Sequence, residues 1–397
     1  MGLLELARAK GLSRVCPLVK QEYIVQKSIL WAAAVGLSLS PAVAEPFSFS
    51  VGGYFNSVLY SVDADTGYDD VSKASVAKAF KDISFQEDAE IIFKAKGKTN
   101  NGLTVGMQIQ LEGATESDQI DEHYIYVSGD FGKLELGAEN SGAQKLQVFA
   151  PRFAGWKTYD NNFGTWSSVA KYEKPRHDNY SADANKLTYY SPKVSGLQFA
   201  YSVTPSSENK NGAGTDALLA ELDGDKTHED VQSFGLRYTG KLGGLKLKAS
   251  VTSETGDYIK AGENEGEMAG ENEGEMEETA YGLSLSSGRL TFGGTHFVSD
   301  EAKAGGNDWE ITHDWEITHV GLAYRYSKDT TFGLAMHTQK DTQTDSNANM
   351  DTDITVVGGA TKLGSGVKLT YTHERVESDG ADAKDANFSG VGLLLKF

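Results

Sequence analysis

Apolar and polar residues alternate along most of this chain, and that period of two decides what it can fold into. In "LTVGMQIQLEG" (103–113), Leu103, Val105, Met107, Ile109 and Leu111 share one face, while Thr104, Gly106, Gln108, Gln110 and Glu112 share the other. "GGLKLKASVTSE" (243–254) sets Leu245, Leu247, Ala249 and Val251 against Lys246, Lys248, Ser250 and Thr252. Phe332, Leu334 and Met336 repeat the pattern, as do Val391, Leu393, Leu395 and Phe397. Only a strand turns successive side chains to opposite faces. About sixteen such strands can be placed, each about ten residues long.

The connections alternate as well. Short turns recur at 97–102, 128–132, 192–196, 240–244, 286–288, 327–329 and 362–366. Long polar stretches fall between them, at about 62–81, 114–121, 141–184, 205–229, 255–277, 299–314, 340–350 and 377–385. A soluble β-sandwich also alternates, but it has no reason to sort loop length by end. A membrane barrel does, and it carries aromatic girdles at its strand ends. Tyr189, Tyr190, Tyr201, Tyr238, Tyr281, Tyr324 and Tyr326 are the girdle candidates. The expected fold is therefore an all-β transmembrane antiparallel barrel, closed because an open edge in lipid leaves backbone groups without partners.

Composition agrees. There are 44 glycines, 18 tyrosines and 17 phenylalanines against 7 prolines, which is strand and turn chemistry. Mean hydropathy is −0.40, too polar for a bundle of membrane helices. A formal charge of −19 argues against a nucleic-acid partner. The N-terminal stretch is different in kind. "SILWAAAVGLSLSPAVA" (28–44) follows Lys20 and Lys27 and ends Ala42-Val43-Ala44. It reads as a secretory signal cleaved after Ala44, leaving a mature barrel at 45–397. Residues 1 to about 24 exceed what a signal needs, and a start at Val25 through a GTG codon would account for them. The single cysteine, Cys16, lies in this leader, so the mature chain forms no disulfide. The leader also carries more basic than acidic residues, so its removal makes the chain more acidic.

"YVSGDFGKLELGAEN" (126–140) and "NKLTYYSPKVSGLQFAYSVTP" (185–205) resemble the general diffusion porins of Gram-negative bacteria, especially the proteobacterial type. The first stretch resembles that family's strand-turn-strand before an inward-folded third loop, and the second the two strands after it. The resemblance implies sixteen strands, a homotrimer, and one water-filled pore per barrel. It also implies an outer membrane with its lipid and lipopolysaccharide as surroundings, and a terminal Phe397 read by the barrel assembly machinery. A barrel of this size is too wide for its side chains to fill, so ions and small hydrophilic solutes are expected to diffuse through it.

Residues 141–184 form the longest connection and are the expected constriction loop. Phe149, Phe153, Trp156, Tyr159, Phe163 and Trp166 would be costly in a loop unless it folds against a wall. It carries Lys145, Arg152, Lys157, Lys171, Lys174 and Arg176 against Asp160, Glu173 and Asp178. By strand parity the facing wall candidates are Asp88, Glu90, Glu112, Lys94, Arg237, Lys246, Lys248, Arg325 and Lys368. Relatives often have an acidic Pro-Glu-Phe-Gly stretch in this loop and arginine where this chain has Ala138; neither is present. The acidic net charge favours cations at the mouths, against the basic loop, and the balance expected is a weak cation preference.

Two tandem repeats stand out: "AGENEGEM" twice (261–276) and "DWEITH" twice (308–319). Both are expected in outer loops, where lengthening costs little, and the hexapeptide is even in length, so it preserves strand parity. On a strand His313 and His319 would lie roughly 20 Å apart, too far to share a metal. The expected cofactor set is none, with calcium at the acidic outer loops (Glu263, Glu265, Glu267, Glu271, Glu273, Glu275) as the one candidate ion. No Gly-x-Ser-x-Gly motif or persuasive catalytic grouping is present. A solute-selective channel, or a barrel acting as an adhesin or receptor through its surface loops, are the alternatives to general diffusion.

Overall fold

The computed structural model describes residues 45–397 apart from 65–66, 70–73, 77–82, 115–118, 155–171, 178–179, 208–225, 261–272, 304–312, 344–350 and 380–384. The leader, with Ala44 and Cys16, lies outside the described residues.

Sixteen antiparallel strands close into one barrel. In chain order the first strand is β1 (Glu45–Ala64), and a small hairpin of β2 (Gly67–Asp69) and β3 (Ala74–Val76) stands apart from the wall. The wall continues with β4 (Ser84–Lys98), β5 (Thr104–Glu112), β6 (Ile120–Gly129) and β7 (Gly132–Ala138). A short helix, α1 (Gly142–Leu146), precedes β8 (Asn185–Tyr190) and β9 (Leu197–Ser206). Then come β10 (Lys226–Leu242), β11 (Leu245–Lys260), β12 (Glu273–Ser287), β13 (Leu290–Lys303) and β14 (His313–Arg325). β15 (Thr330–Gln343), β16 (Asp351–Gly364), β17 (Val367–Asp379) and β18 (Ala386–Lys396) complete it. β18 returns to β1, where Phe397 N–H donates to the Gly53 carbonyl and Gly53 N–H to the Phe397 carbonyl, both at 3.1 Å. The last residue thus takes part in closing the sheet, so no edge is left at that seam.

The face expected to meet lipid is the outer, exposed one. Phe55, Leu59, Phe93, Leu136, Phe234, Leu283, Phe292, Leu334, Val357 and Leu393 all point outward and are exposed. A belt of this extent would drive a soluble protein to aggregate; on a membrane barrel it matches the hydrocarbon. At the turn end Tyr189 donates to the Phe131 carbonyl at 2.7 Å, and the rings of Tyr326 and Phe332 meet edge-on at 5.9 Å. Tyr190 departs from the girdle expectation. Its partner across the ladder is Lys133, on the inward face, and it is buried there.

The strands are longer than expected, up to 20 residues in β1 and 17 in β10. They run well into the polar stretches read from sequence as loops. The hexapeptide repeat is the clearest case. Its first copy lies mostly outside the described residues, but the second, Asp314 to His319, is β14 wall. Trp315, Ile317 and His319 face inward and are buried. The expectation of a loop fails here because the phrase itself alternates, so it can extend a strand when the neighbours β13 and β15 reach as far. The second octapeptide likewise ends inside β12, with Met276 buried inward.

Candidate functional site

The inner wall and the segment that lies on it form the candidate site. Ladder pairing carries the inward set from strand to strand: Asn56 opposite Asp88, Glu90 opposite Glu112, Gly235 opposite Thr252, His319 opposite His337. The wall is not polar throughout. Val58, Ile354, Val356, Val376 and Phe388 form an apolar patch with Phe153 and Ala154 of the 141–184 segment. The simple rule of lipid-facing apolar and water-facing polar residues therefore gives way where the segment covers the wall.

The segment begins as α1. Ser141 caps it, its hydroxyl accepting from Gln144 N–H at 3.3 Å. Gly142 N–H donates to the Ser202 hydroxyl at 2.8 Å and Val148 N–H to the Ser250 hydroxyl at 2.9 Å, so short wall side chains satisfy the segment's backbone. Contact this close needs an absence of side chain. A Cβ at Gly235 would lie 3.0 Å from the Gly142 carbonyl oxygen, one at Gly282 2.2 Å from that of Val148, and one at Gly333 2.1 Å from the Phe153 ring. These three inward glycines make the floor on which the segment rests. Sequence reading missed them because glycine in a barrel is read first as a turn residue. Their parity with inward-facing neighbours, away from any turn, was the available signal.

The return path is fixed by polar contacts. Glu173 N–H donates to Gln339 Oε1 at 2.7 Å, on β15. The His177 ring, fully buried, lies 3.1 Å from Glu278 Oε2 through Nδ1 and 2.8 Å from the Thr252 hydroxyl through Nε2. Ser181 N–H donates to Glu254 Oε1 at 3.0 Å and the Tyr180 hydroxyl meets that of Ser299 at 2.9 Å. Lys186 then gathers the carbonyls of Ala182 and Ala184, both at 2.7 Å, with those of Ser181 and Glu139, and so ties the end of the segment to its beginning.

The expected site residues divide as follows. Lys145 is turned to the wall, paired with Glu139 at 2.8 Å and Glu135 at 3.1 Å. Arg152 is exposed, although Ala150 and Phe153 on either side of it are buried. Glu173, Lys174 and Arg176 are half-buried along the return path. Lys157, Asp160 and Lys171 lie outside the described residues. All nine wall candidates are on the inward face. Asp88 and Glu90 accept from the Tyr54 hydroxyl at 2.9 and 2.8 Å. Arg237 donates to the Lys145 carbonyl at 3.2 Å, holding α1, while Arg325 donates to the Gly288 carbonyl at 3.1 Å beside a turn. Lys94, Lys246, Lys248 and Lys368 line the turn-side half. Among the described residues one group of three or more acidic or histidine side chains converges, Glu90, Glu112 and Asp121, with oxygens within 4.8 Å of one another. His319 and His337 face each other at 5.9 Å between ring centroids, and among the described residues no third metal-ligating side chain converges with them.

A family model for Gram-negative porins matches residues 31–385. The chain belongs to the Gram-negative porin family. It is accordingly a multi-strand barrel of the outer membrane. This porin is similar in structure, at TM-score 0.58, to the anion-selective porin of Comamonas acidovorans, with 13% identity over 89% of this chain and 100% of that one. The trimer form of OmpT, an outer membrane protein of Vibrio cholerae, gives TM-score 0.58 and 13% identity over the same shares. The outer membrane channel DcaP of Acinetobacter baumannii gives 0.57 and 14%, over 88% of this porin and 97% of DcaP. At such identities the likeness is one of fold. An uncharacterized protein of Rickettsia bellii is 28% identical over 139 residues, 29% of this chain and 32% of its own length. One from Rickettsia typhi is 24% identical over 224 residues, 43% and 50%. The porin spans half or less of the length of the curated relatives it matches.

Proposed function

We propose that this porin is a passive outer-membrane channel for ions and small hydrophilic solutes, assembled as a homotrimer with one pore per barrel. The anchoring of residues 141–154, 172–177 and 180–184 along the inner wall, from β8 round to β18 and β1, carries the reading. A segment held by buried glycines, capped backbone groups and a buried histidine is built to narrow a lumen and stay in place. A loop free to swing would have no such floor. Its charges, with Arg152 foremost and Lys145, Lys157, Asp160, Lys171, Glu173, Lys174 and Arg176 beside it, would meet the wall charges at the narrowest section and set which solutes pass.

The trimer reading draws support from OmpT of Vibrio cholerae, which takes a trimer form. Planar-bilayer recording of the purified protein tests both parts. Large conductance steps arriving in threes, unblocked by any single sugar, are the expected result. Small currents closed by one solute would replace general diffusion with a solute-selective channel, and no current would leave a barrel that works through its outer surface.

A further inference from the structure

The inward charges are sorted by height, and like faces like. On the loop side, Glu90 stands directly opposite Glu112, and Glu254 opposite Glu278. On the turn side, Lys241 stands opposite Lys246, and Lys362 opposite Lys368. Like charges directly across a ladder are destabilising, and exchanging one of each would have paired them all. The exceptions are compensated on the spot. Glu135, near a turn, sits between Lys133 at 2.6 Å and Lys145 at 3.1 Å, and Lys186, higher up, is enclosed by carbonyls.

Exposure is sorted too. Glu254, Glu278 and Glu374 are fully buried, whereas Lys241, Lys246, Lys248, Lys362 and Lys396 are exposed. The chain is acidic overall at −19, yet much of the wall's carboxylate is withdrawn from water. Lys362 and Lys368 on neighbouring strands, with Lys396 on the next, form one continuous group on the inner face of the turn end. Lys246 and Lys248 continue it on another sector. Tight turns face the periplasm in barrels of this kind.

On the basis of the channel reading above, we infer that the periplasmic mouth of the pore is a binding belt for polyanionic solutes. Several ammonium groups on one rim, unpaired with carboxylates, suit a ligand with several closely spaced negative oxygens, such as a linear polyphosphate. A monovalent anion would be drawn by the same field but held far less. The channel therefore conducts differently toward its two ends.

The test uses the full mature protein in planar bilayers, with tripolyphosphate as the probe. A biotin tag in the 261–272 connection, read with streptavidin, marks the loop side. At about 0.1 M KCl, tripolyphosphate added on the turn side is expected to lower conductance roughly twofold or more, and at about 1 M KCl the effect is expected to vanish through screening. From the loop side the same effect needs roughly tenfold more probe. The triple variant Lys362→Gln, Lys368→Gln, Lys396→Gln is expected to lose the block in channels that still open, and Lys246→Gln with Lys248→Gln to weaken it. Open channels blocked equally from both sides, or a block that survives both variants, would overturn the belt and leave the channel reading standing. Absence of any channel would overturn both.

Discussion

At the scale of single residues, the inner wall is made by what is missing from it. Gly282 leaves space for the Val148 carbonyl, so Gly282→Ala puts a Cβ 2.2 Å from a backbone oxygen that has to move. The expected cost is about 1–3 kcal/mol, with conductance raised as the segment lifts, measured by urea unfolding in detergent and by single-channel recording. Gly244→Ala in a turn, where an added Cβ meets nothing within 4 Å, is the control expected to change neither. His177 is the converse case, a side chain whose removal leaves Glu278 buried opposite Glu254. His177→Ala is expected to destabilise the barrel by about 3–5 kcal/mol, since a buried acidic group loses one of the partners that hold it. Adding Glu278→Gln should restore most of that. If the double variant is no better than the single, the carboxylate is not what the histidine compensates. Parity read from sequence placed all nine wall candidates inward, because a period of two leaves a strand residue only two choices. It could not find His177, which lies in a long connection where no period applies, or the glycine floor, which shows only when the segment above it is in place.

At the scale of elements, strand length was the least legible feature. Polar residues near strand ends looked like loop because the sequence criterion was an apolar face, and past the membrane a strand needs no such face. Neighbouring strands still pair there, as β10 does with β11 from Lys226 opposite Lys260 onward. The duplicated hexapeptide gives a prediction at this scale. Deleting 308–313 removes one copy and leaves an identical phrase before Val320, so every pairing of β14 from Trp315 inward can be remade. The deletion is expected to leave outer-membrane yield and heat-modifiable mobility unchanged. Deleting one residue from the surviving copy, Ile317, shifts the face of everything before it and should abolish assembly. A six-residue deletion as damaging as the single one would mean that the first copy has a structural role of its own.

At the scale of the whole molecule, net charge and pore charge part company. Formal charge counts every carboxylate equally, and from it a weak cation preference follows. The lumen weighs them by exposure to water. Glu254, Glu278, Glu374 and Glu135 are buried, while Lys241, Lys246, Lys248, Lys362 and Lys396 of the turn end, and Arg152, are exposed. A salt gradient separates the two views. The Debye length is about 10 Å at 0.1 M and 3 Å at 1 M, so the mouth bathed in dilute salt dominates selection and the mouth in concentrated salt is nearly silent. With the dilute solution on the turn side, the zero-current potential of a tenfold KCl gradient is expected to take the sign of anion preference. With the gradient reversed, the anion preference should shrink or change to cation preference, because the loop side then exposes Asp88, Glu90 and Glu112 to weak screening. A potential whose ion preference is the same in both directions would mean that one section of the pore, the one beneath residues 141–184, decides selectivity alone. In that case Arg152→Gln would move the potential and the lysine substitutions would not.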